Sequence, residues 1–122
     1  MRPIVIGVLL ISTGLAGCAA PGAYDWGGYD QMLYQSYKDP SKSEAMRVGI
    51  ETHIAALESR GGLVAPGLYA ELGTLYLERG ETDRAIDLYA KERDAWPESK
   101  YLMDAMIVSL ERRRTSLPEA AQ

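Results

Sequence analysis

The sequence contains few of the residues that usually carry catalytic or metal-binding chemistry. It has one cysteine, one histidine and no phenylalanine. The lone cysteine, Cys18, excludes an intrachain disulfide, and no group of residues has metal-ligand spacing. The histidine, His53, has no acidic residue or second histidine three or four positions away on either side, so we interpret it as a partly buried or surface residue. We therefore expect a protein that is not an enzyme and that binds neither a cofactor nor a metal.

Long apolar runs are also absent, apart from Ile4–Leu15, which follows the basic Arg2. As a helix this run would span roughly 18 Å, well short of the ~30 Å hydrocarbon core of a bilayer. It ends in Leu15-Ala16-Gly17-Cys18, which matches the bacterial lipobox. A buried N-terminal strand with a core cysteine would not require this order of charge, apolar run, small residues and cysteine. We therefore predict a cleaved lipoprotein signal peptide over residues 1–17 and lipidation of Cys18, with palmitate among its acyl chains.

The predicted mature chain is a lipid-anchored protein of 105 residues. Residues 18–25 would form the lipidated N-terminus and a tether short enough to hold the folded part close to the lipid. Ala19 stands where an aspartate usually retains lipoproteins in an inner membrane, so resemblance to sorted lipoproteins predicts an outer-membrane anchor facing the periplasm. Without Arg2, 12 basic residues stand against 17 acidic ones. This acidic balance argues against nucleic acid as a partner.

Apolar residues at helical spacing, separated by capping and breaking residues, predict four helices in the body of the chain. Ser41 and Glu44 have the spacing of a capping box for the first helix, and Thr82 is the expected cap of the third. The four helices are predicted over Ser43–Arg60, from Pro66 to Gly80, from Thr82 to Pro97, and from Glu98 to Arg113. No stretch alternates as a strand would. The fold class is therefore all-α, with a folded domain over residues 26–113 and a flexible tail over residues 114–122.

The segment Pro66–Pro97 fits the pattern of a tetratricopeptide repeat, a helix–turn–helix unit of about 34 residues. Its signature positions, which we expect to be structural, are Tyr69, Leu72, Gly73, Tyr76, Ala85, Tyr89 and Pro97. Gly73 and Ala85 are small enough to let two antiparallel helices approach closely. Glu92 departs from the pattern, because alanine is usual at that position. A single repeat cannot bury its own faces, so we predict a tetratricopeptide-repeat-like stack of helical hairpins with about five helices.

Half of the eight tyrosines lie in one segment, Tyr24–Tyr37, together with a tryptophan. Residues at i, i+3, i+7 and i+11 of this segment share one helical face, and they are Trp26, Tyr29, Leu33 and Tyr37. We therefore predict that the segment docks on the stack as a short helix. The candidate partner-binding or cap residues are Trp26, Tyr29, Tyr34 and Tyr37. The alternative is a ligand platform whose rings stack on the sugars of a glycan or of peptidoglycan.

Four motifs of the chain together resemble a known family. They are Tyr24-x-Trp26-Gly27-x-Tyr29, Leu33-Tyr34-x-x-Tyr37-x-x-Pro40, Pro66-Gly67-x-Tyr69-Ala70-Glu71-Leu72-Gly73, and Glu92 followed by Pro97-Glu98-Ser99. On these motifs the chain is identified as a member of the small bacterial lipoproteins catalogued as domain of unknown function 4810. The resemblance covers nearly the whole mature chain. It implies two partners, a curli-secretion-channel-type (CsgG-like) lipoprotein and a third small lipoprotein, and it transfers no catalytic residue.

The sequence thus predicts a lipid-anchored periplasmic adaptor that binds protein partners within an outer-membrane assembly or export complex. The alternative is a glycan- or peptidoglycan-binding envelope lipoprotein that uses the aromatic segment Tyr24–Tyr37. An envelope hydrolase would need two acidic residues that converge in a cleft, and the sequence shows no such pair.

Overall fold

The structure is a computed structural model that describes residues 22–116. Its five α-helices are α1 (Tyr29–Lys38), α2 (Ser43–Ser59), α3 (Leu68–Glu78), α4 (Thr82–Ala95) and α5 (Lys100–Ser116). Two short 3-10 turns, Pro40–Lys42 and Pro97–Ser99, precede α2 and α5. No strand occurs between residues 22 and 116, so the prediction of an all-α fold with about five helices is confirmed. The predicted signal peptide and Cys18 lie outside the described residues.

Each helix packs antiparallel to the one before it. Ser36, near the end of α1, lies 3.0 Å (Oγ to Oγ) from Ser43 at the start of α2. In the same way Arg93, near the end of α4, contacts Asp104 in the first half of α5. The connections between helices are short, which favours antiparallel neighbours. Within residues 22–116, no helix is both long enough and apolar enough to cross a membrane.

The buried side chains form two groups along the stack. The larger group lies mainly between α2 and α3 and includes Met46, Ile50, Ile54, Leu57, Leu68, Leu72, Leu75 and Tyr76. The second group joins α4 to α5 and consists of Ala85, Tyr89, Met103, Ile107 and Leu110. Burial of each large side chain stabilises the fold by about 1.5–3 kcal/mol before conformational entropy is counted. The apolar stripes that predict the helices therefore also supply the core.

Two glycines lie where neighbouring helices pack closely. A Cβ on Gly73 of α3 would lie 2.9 Å from the ring of Tyr89 and 3.3 Å from the carbonyl oxygen of Ala85, both on α4. A Cβ on Gly49 of α2 would overlap the sulfur of Met32 on α1. The absence of a side chain at these positions is what lets α1 pack on α2 and α3 pack on α4.

The predicted capping box at the start of α2 is wrong. Ser41 lies in the 3-10 turn before the helix, and its hydroxyl donates a hydrogen bond to Asp39 (2.6 Å), as its main-chain N–H also does (3.0 Å). Ser41 is therefore bonded to Asp39 within the turn and does not cap α2. Short polar side chains such as that of Asp39 compete for nearby backbone groups. Glu44 forms ion pairs with Arg47 and Arg79 instead of bonding back to the turn.

The predicted cap of α4 is also wrong, and two predicted helix ends are displaced by two or three residues. Thr82 is the first residue of α4, follows Glu81, and makes no side-chain cap. The helix α3 begins at Leu68 rather than at Pro66, because Gly67 has φ of 91°, which is outside the helical region. The helix α5 continues to Ser116, so residues 114–116 are helical rather than part of the predicted tail. Residues 117–122 lie outside the described residues.

The unusual Glu92 is buried inside α4, with only 1% of its surface exposed. Its Oε1 atom accepts hydrogen bonds from the main-chain N–H of Gly67 (2.7 Å) and from the hydroxyl of Ser99 (3.2 Å). Glu92 therefore connects the start of α3 to the 3-10 turn that precedes α5. An alanine at this position could not form these two hydrogen bonds.

Candidate functional site

The surface carries a groove between α2 and α4, with α3 as its floor. Its volume is about 340 Å³. Apolar side chains on its inner surface are Ile54, Ala55, Leu72 and Leu88, and charged side chains on its rim are Glu51, Glu58, Arg84, Asp87 and Lys91. We call this feature the α2–α4 groove. Because α2 and α4 both run antiparallel to α3, they run in the same direction along the two sides of the groove.

One end of the α2–α4 groove is closed by Tyr76, Glu51 and two arginines. The hydroxyl of Tyr76 donates a hydrogen bond to Glu51 across the α2–α3 interface. Arg84 donates to the same carboxylate (3.0 Å), and its guanidinium carbon lies 3.9 Å from the centre of the Tyr76 ring. Arg47 completes the set by donating to the Tyr76 hydroxyl and to Glu51, both at 2.7 Å. The tyrosine, the carboxylate and the cations thus fix one another's positions.

The other end of the groove repeats this arrangement with Tyr69, Glu58 and Lys91. The hydroxyl of Tyr69 donates to Glu58 (2.8 Å), and the ammonium of Lys91 donates to the same carboxylate oxygen (2.9 Å). The ammonium also lies 5.5 Å from the centre of the Tyr69 ring. Both ends of the groove are therefore built from a buried tyrosine of α3, a glutamate of α2 and a cation of α4.

The repetition follows from helix geometry. Glu51 and Glu58 are seven residues apart on α2, as are Arg84 and Lys91 on α4, in the same chain direction. Seven residues are nearly two helical turns, about 10.5 Å along the axis, so each pair shares one face of its helix. The two tyrosines of α3 have the same spacing in the opposite direction. The sequence shows these spacings, but only the antiparallel packing brings the six residues together.

Hydrogen bonds and ion pairs favour the charged form of both glutamates of the groove. The hydrogen bond from Tyr76 lowers the pKa of Glu51, with Arg47 and Arg84 acting in the same direction. The hydrogen bond from Lys91 lowers the pKa of Glu58, with Tyr69 acting in the same direction. A carboxyl group that serves as a general acid near neutral pH needs a raised pKa instead. These glutamates are thus suited to holding structure and charge rather than to donating a proton.

The middle of the groove combines an apolar base with one acidic side chain. Ala55 is exposed on the α2 side, and Leu88 is half-buried on the α4 side. Asp87 lies on the same rim as Arg84 and Lys91, and it forms no ion pair within residues 22–116. Its carboxylate is therefore available to a cation that enters the groove.

Some signature residues of Pro66–Pro97 line the groove, and the others lie in the contacts between helices or in a turn. Tyr69 and Tyr76 form the ends of the groove, and Leu72 lies between them in its floor. Tyr89 is fully buried on the opposite side of α3, where its hydroxyl and that of Thr74 are 3.0 Å apart. Of the remaining positions, Gly73 and Ala85 lie in close contact between α3 and α4. Pro97 is the first residue of the second 3-10 turn.

The aromatic segment docks through a different face from the one predicted. It does form a helix, α1, and this helix packs on α2. The side chains that face the stack are Tyr29, Met32 and Ser36, whereas Leu33 and Tyr37 are 43% and 86% exposed. The predicted face is wrong because Gly27 and Gly28, with positive φ, keep Trp26 out of the helix, and because Gly49 admits Met32 instead.

The four aromatic candidates therefore have different environments. Tyr29 is half-buried against the core, and burial raises the pKa of its hydroxyl, with Glu71 acting in the same direction. Trp26 is partly exposed and packs edge-on against Tyr24, with ring centres 6.4 Å apart. Tyr34 and Tyr37 are exposed on the outer side of α1. These last two rings contribute surface rather than core.

The single histidine and Trp96 hold the N-terminal segment against the stack. His53 lies 2.8 Å (Nε2 to O) from the main-chain carbonyl of Asp25. Trp96 meets Tyr24 edge-on, with ring centres 5.4 Å apart, and its Nε1–H donates to the carbonyl of Val64 (3.2 Å). Sequence reasoning missed both contacts, because they join positions 28 or more residues apart. In the part of the chain from 22 to 116, no group of three or more His, Cys, Asp or Glu residues could hold a metal ion.

Comparison with known proteins assigns the chain to a family. No curated protein and no solved structure matches it. Residues 23–106 match a family described as a domain of unknown function, DUF4810. The match begins at the aromatic segment and includes α1 to α4 with the whole α2–α4 groove. It covers more than half of the chain, and the protein therefore belongs to the DUF4810 family.

Proposed function

We propose that the protein is a lipid-anchored adaptor of the bacterial envelope that binds a segment of a partner protein in the α2–α4 groove. The observation that carries this proposal is the repeated tyrosine–glutamate–cation set, which fixes both ends of a groove and leaves its apolar base uncovered. A surface held in one conformation loses less entropy when it binds, and this preorganisation favours recognition. Helical-repeat stacks commonly bind helices or extended segments in such grooves.

The lining of the groove defines the chemistry of the segment it fits. Ala55, Leu72 and Leu88 offer apolar contact at the centre. Asp87 offers an unpaired carboxylate on the rim, so the segment should place a lysine or arginine beside its apolar side chains. Opposite charge at the rim favours the correct register and a faster encounter. The proposed occupant is therefore an apolar segment of a partner protein that carries a basic residue.

We propose no catalytic step for the groove. The two glutamates that line it are each bound by a cation and by a tyrosine hydroxyl, and their pKa values are lowered. The groove also lacks a histidine, since His53 faces Asp25 on another side of α2. Binding is the function that this arrangement of charges supports best.

The membrane anchor is the second part of the proposal. It is supported by the lipobox that ends at Cys18 and by the short distance in sequence from Cys18 to the folded domain. An anchor facing the periplasm from the outer membrane would place the groove next to other envelope lipoproteins. The first partner to test is the channel-type (CsgG-like) lipoprotein that the family resemblance implies, and the second is the third small lipoprotein. Replacing Cys18 with serine should release the protein from membranes, and continued lipid labelling of that variant would refute the anchor.

The groove can be tested with two neighbouring alanines of α2. Ala55 lines the groove and Ala56 does not, although both are exposed. A photo-reactive amino acid at position 55 should crosslink in living cells to the channel-type lipoprotein, whereas the same group at position 56 should not. Equal crosslinking from the two positions, or none from position 55, would refute the groove as the binding surface.

A binding measurement with purified proteins gives an independent test. Ala55→Trp should fill the groove and weaken the affinity for the partner at least tenfold, about 1.4 kcal/mol. Ala56→Trp adds the same side chain outside the groove and should leave the affinity unchanged. Asp87→Lys should weaken binding by reversing the rim charge, and the effect should decrease at high salt. If Ala55→Trp binds as tightly as Ala56→Trp, the groove is not the site.

A further inference from the structure

The outer side of α1 carries an apolar stripe that no part of the described chain covers. Leu33, Tyr34 and Tyr37 are all exposed there, and Trp26, which is also exposed, precedes the helix with its ring centre 6.3 Å from that of Tyr29. None of these four side chains is among the buried residues of the core. We call this feature the α1 stripe. Contiguous exposed apolar surface of this kind marks a site of interaction.

The position of the α1 stripe relative to Cys18 suggests what covers it. Seven residues, 19–25, lie between Cys18 and Trp26, which limits the distance between their Cα atoms to about 28 Å. The stripe would thus be held close to a bilayer in the anchored protein, at a high effective concentration relative to the lipid surface. We propose that the α1 stripe lies in the headgroup region of the membrane and orients the anchored domain. This inference rests on the lipid anchor of the proposed function.

The composition of the stripe fits a lipid interface better than a sugar site. Tryptophan and tyrosine favour the headgroup region, because their rings are apolar and their N–H or O–H groups remain hydrated. Leu33 adds an aliphatic side chain, which can enter the acyl boundary but offers no stacking face to a sugar. The rings of Tyr34 and Tyr37 lie along the outside of α1, and Trp26 borders an open pocket of about 520 Å³ with mainly apolar walls together with Tyr29 and Asp30.

The charged groups of α1 are compatible with this orientation. Lys38 lies 5.0 Å from the centre of the Tyr34 ring, where its ammonium can reach lipid phosphates. Asp25 is paired with Arg60, so its charge is partly neutralised. Asp30, exposed in the first turn of α1, is the one charge of the helix that opposes an anionic lipid surface. The stripe is therefore expected to bind through its rings, with little dependence on anionic lipid.

The test uses the full lipidated protein, purified from membranes and added to vesicles of phosphatidylethanolamine and phosphatidylglycerol with bromine in the upper part of the acyl chains. Flotation of the vesicles first shows whether the anchor holds. Bromine then quenches tryptophan emission at the interface, and a Trp26→Phe variant identifies the share that comes from Trp96. We expect the Trp26 emission to fall about twofold on the vesicles.

Two matched variants separate the stripe from general hydrophobicity. Leu33→Gln with Tyr37→Gln removes one leucine and one tyrosine from the stripe, and both are exposed, so the fold should be retained. Leu102→Gln with Tyr101→Gln removes the same two residue types from exposed positions on α5. The first double variant should lose most of the quenching of Trp26, and the second should keep it.

The possible results distinguish the anchor from the stripe. Protein that floats without quenching of Trp26 retains the anchor and refutes the stripe as a membrane surface. Protein that does not float refutes both. Quenching that is equal in the two double variants, or Trp26 emission that responds to soluble peptidoglycan fragments and not to brominated lipid, also refutes the stripe and in the second case assigns it to a glycan.

Discussion

The Nε2 atom of His53 lies 2.8 Å from the main-chain carbonyl oxygen of Asp25, 28 positions earlier in the chain. Because a carbonyl can only accept, Nε2 carries the proton of this hydrogen bond. The ring also lies directly under Gly27, where a Cβ would overlap it and where φ is 59°. The histidine therefore fixes the path of the chain just before α1 and so determines where the N-terminal segment leaves the stack.

The first prediction concerns this contact. His53→Ala removes one hydrogen bond and the packing under Gly27, and it should lower the free energy of unfolding by about 1–3 kcal/mol. Arg60→Ala removes only an exposed ion pair with Asp25 and should cost at most about 0.5 kcal/mol. Urea unfolding measures both values. Hydrogen exchange should also become faster at the start of α1 in His53→Ala, and equal exchange in the two variants would contradict the role of the histidine.

The second prediction compares the two glycines at helix contacts. A new Cβ at Gly73 meets the ring of Tyr89, which is fully buried and cannot move without repacking the core. A new Cβ at Gly49 meets only the end of Met32, a flexible side chain at the edge of the stack. Gly73→Ala should therefore cost about 1–3 kcal/mol. Both substitutions gain about 1 kcal/mol of helix propensity, and Gly49→Ala should cost less because the flexible Met32 can move aside. Thermal unfolding of both variants checks the order, and a larger loss for Gly49→Ala would refute it.

The helices could be predicted from the sequence because each has an apolar stripe at the right period. The capping residues of α2 and α4 could not: Asp39 binds the serine that had the spacing of a cap for α2, and Thr82 is the first residue of α4 rather than its cap. The docking face of α1 was also beyond sequence reasoning. Leu33 and Tyr37 are as apolar as Met32, so the pattern contains two overlapping faces, and the choice depends on the space left by Gly49 on another helix.

The candidate groove was partly visible in the sequence. Tyr69 and Tyr76 were identified through the repeat pattern, but as packing residues. Their hydroxyls reach Glu58 and Glu51 only because α3 runs antiparallel to α2, and a register of that kind is not encoded in local spacing. Charges spaced by seven residues look the same on a solvated helix as on the rim of a groove. Only the tertiary packing places these charges at the ends of a groove.

The third prediction concerns the buried Glu92. Its Oε1 atom bonds Gly67 and Ser99, while its Oε2 atom is buried without a hydrogen-bond partner among the described residues. Glu92→Ala restores the residue usual in the repeat pattern, yet it should lower the stability by about 2–4 kcal/mol, because two hydrogen bonds and a filled volume are lost. Glu92→Gln keeps the volume and one acceptor and should cost about 1 kcal/mol or less.

Urea unfolding of the two Glu92 variants gives the comparison. Exposed Glu98, which precedes α5 in the second 3-10 turn, provides the control, and Glu98→Ala should stay within about 0.5 kcal/mol of the unaltered protein. If Glu92→Ala is as stable as Glu92→Gln, then the two hydrogen bonds of Oε1 do not hold the turns together.

The fourth prediction concerns pH and Glu71, a half-buried residue of α3. Burial raises the pKa of its carboxyl group, and the charge of Glu78 raises it further. The folded state therefore favours the protonated form more than the unfolded state does, and the carboxyl group costs stability once the pH exceeds its unfolded pKa of about 4.3. Glu71→Gln should consequently raise the urea midpoint at pH 7, and the gain should disappear below about pH 4, where both states of the parent protein are protonated.

Glu51 and Glu58, whose lowered pKa values act in the opposite sense, are present in both proteins and cancel in the difference. Glu111→Gln, at an exposed site on α5, should show no such pH-dependent gain, and an equal gain in both variants would show that net charge rather than burial of Glu71 is responsible.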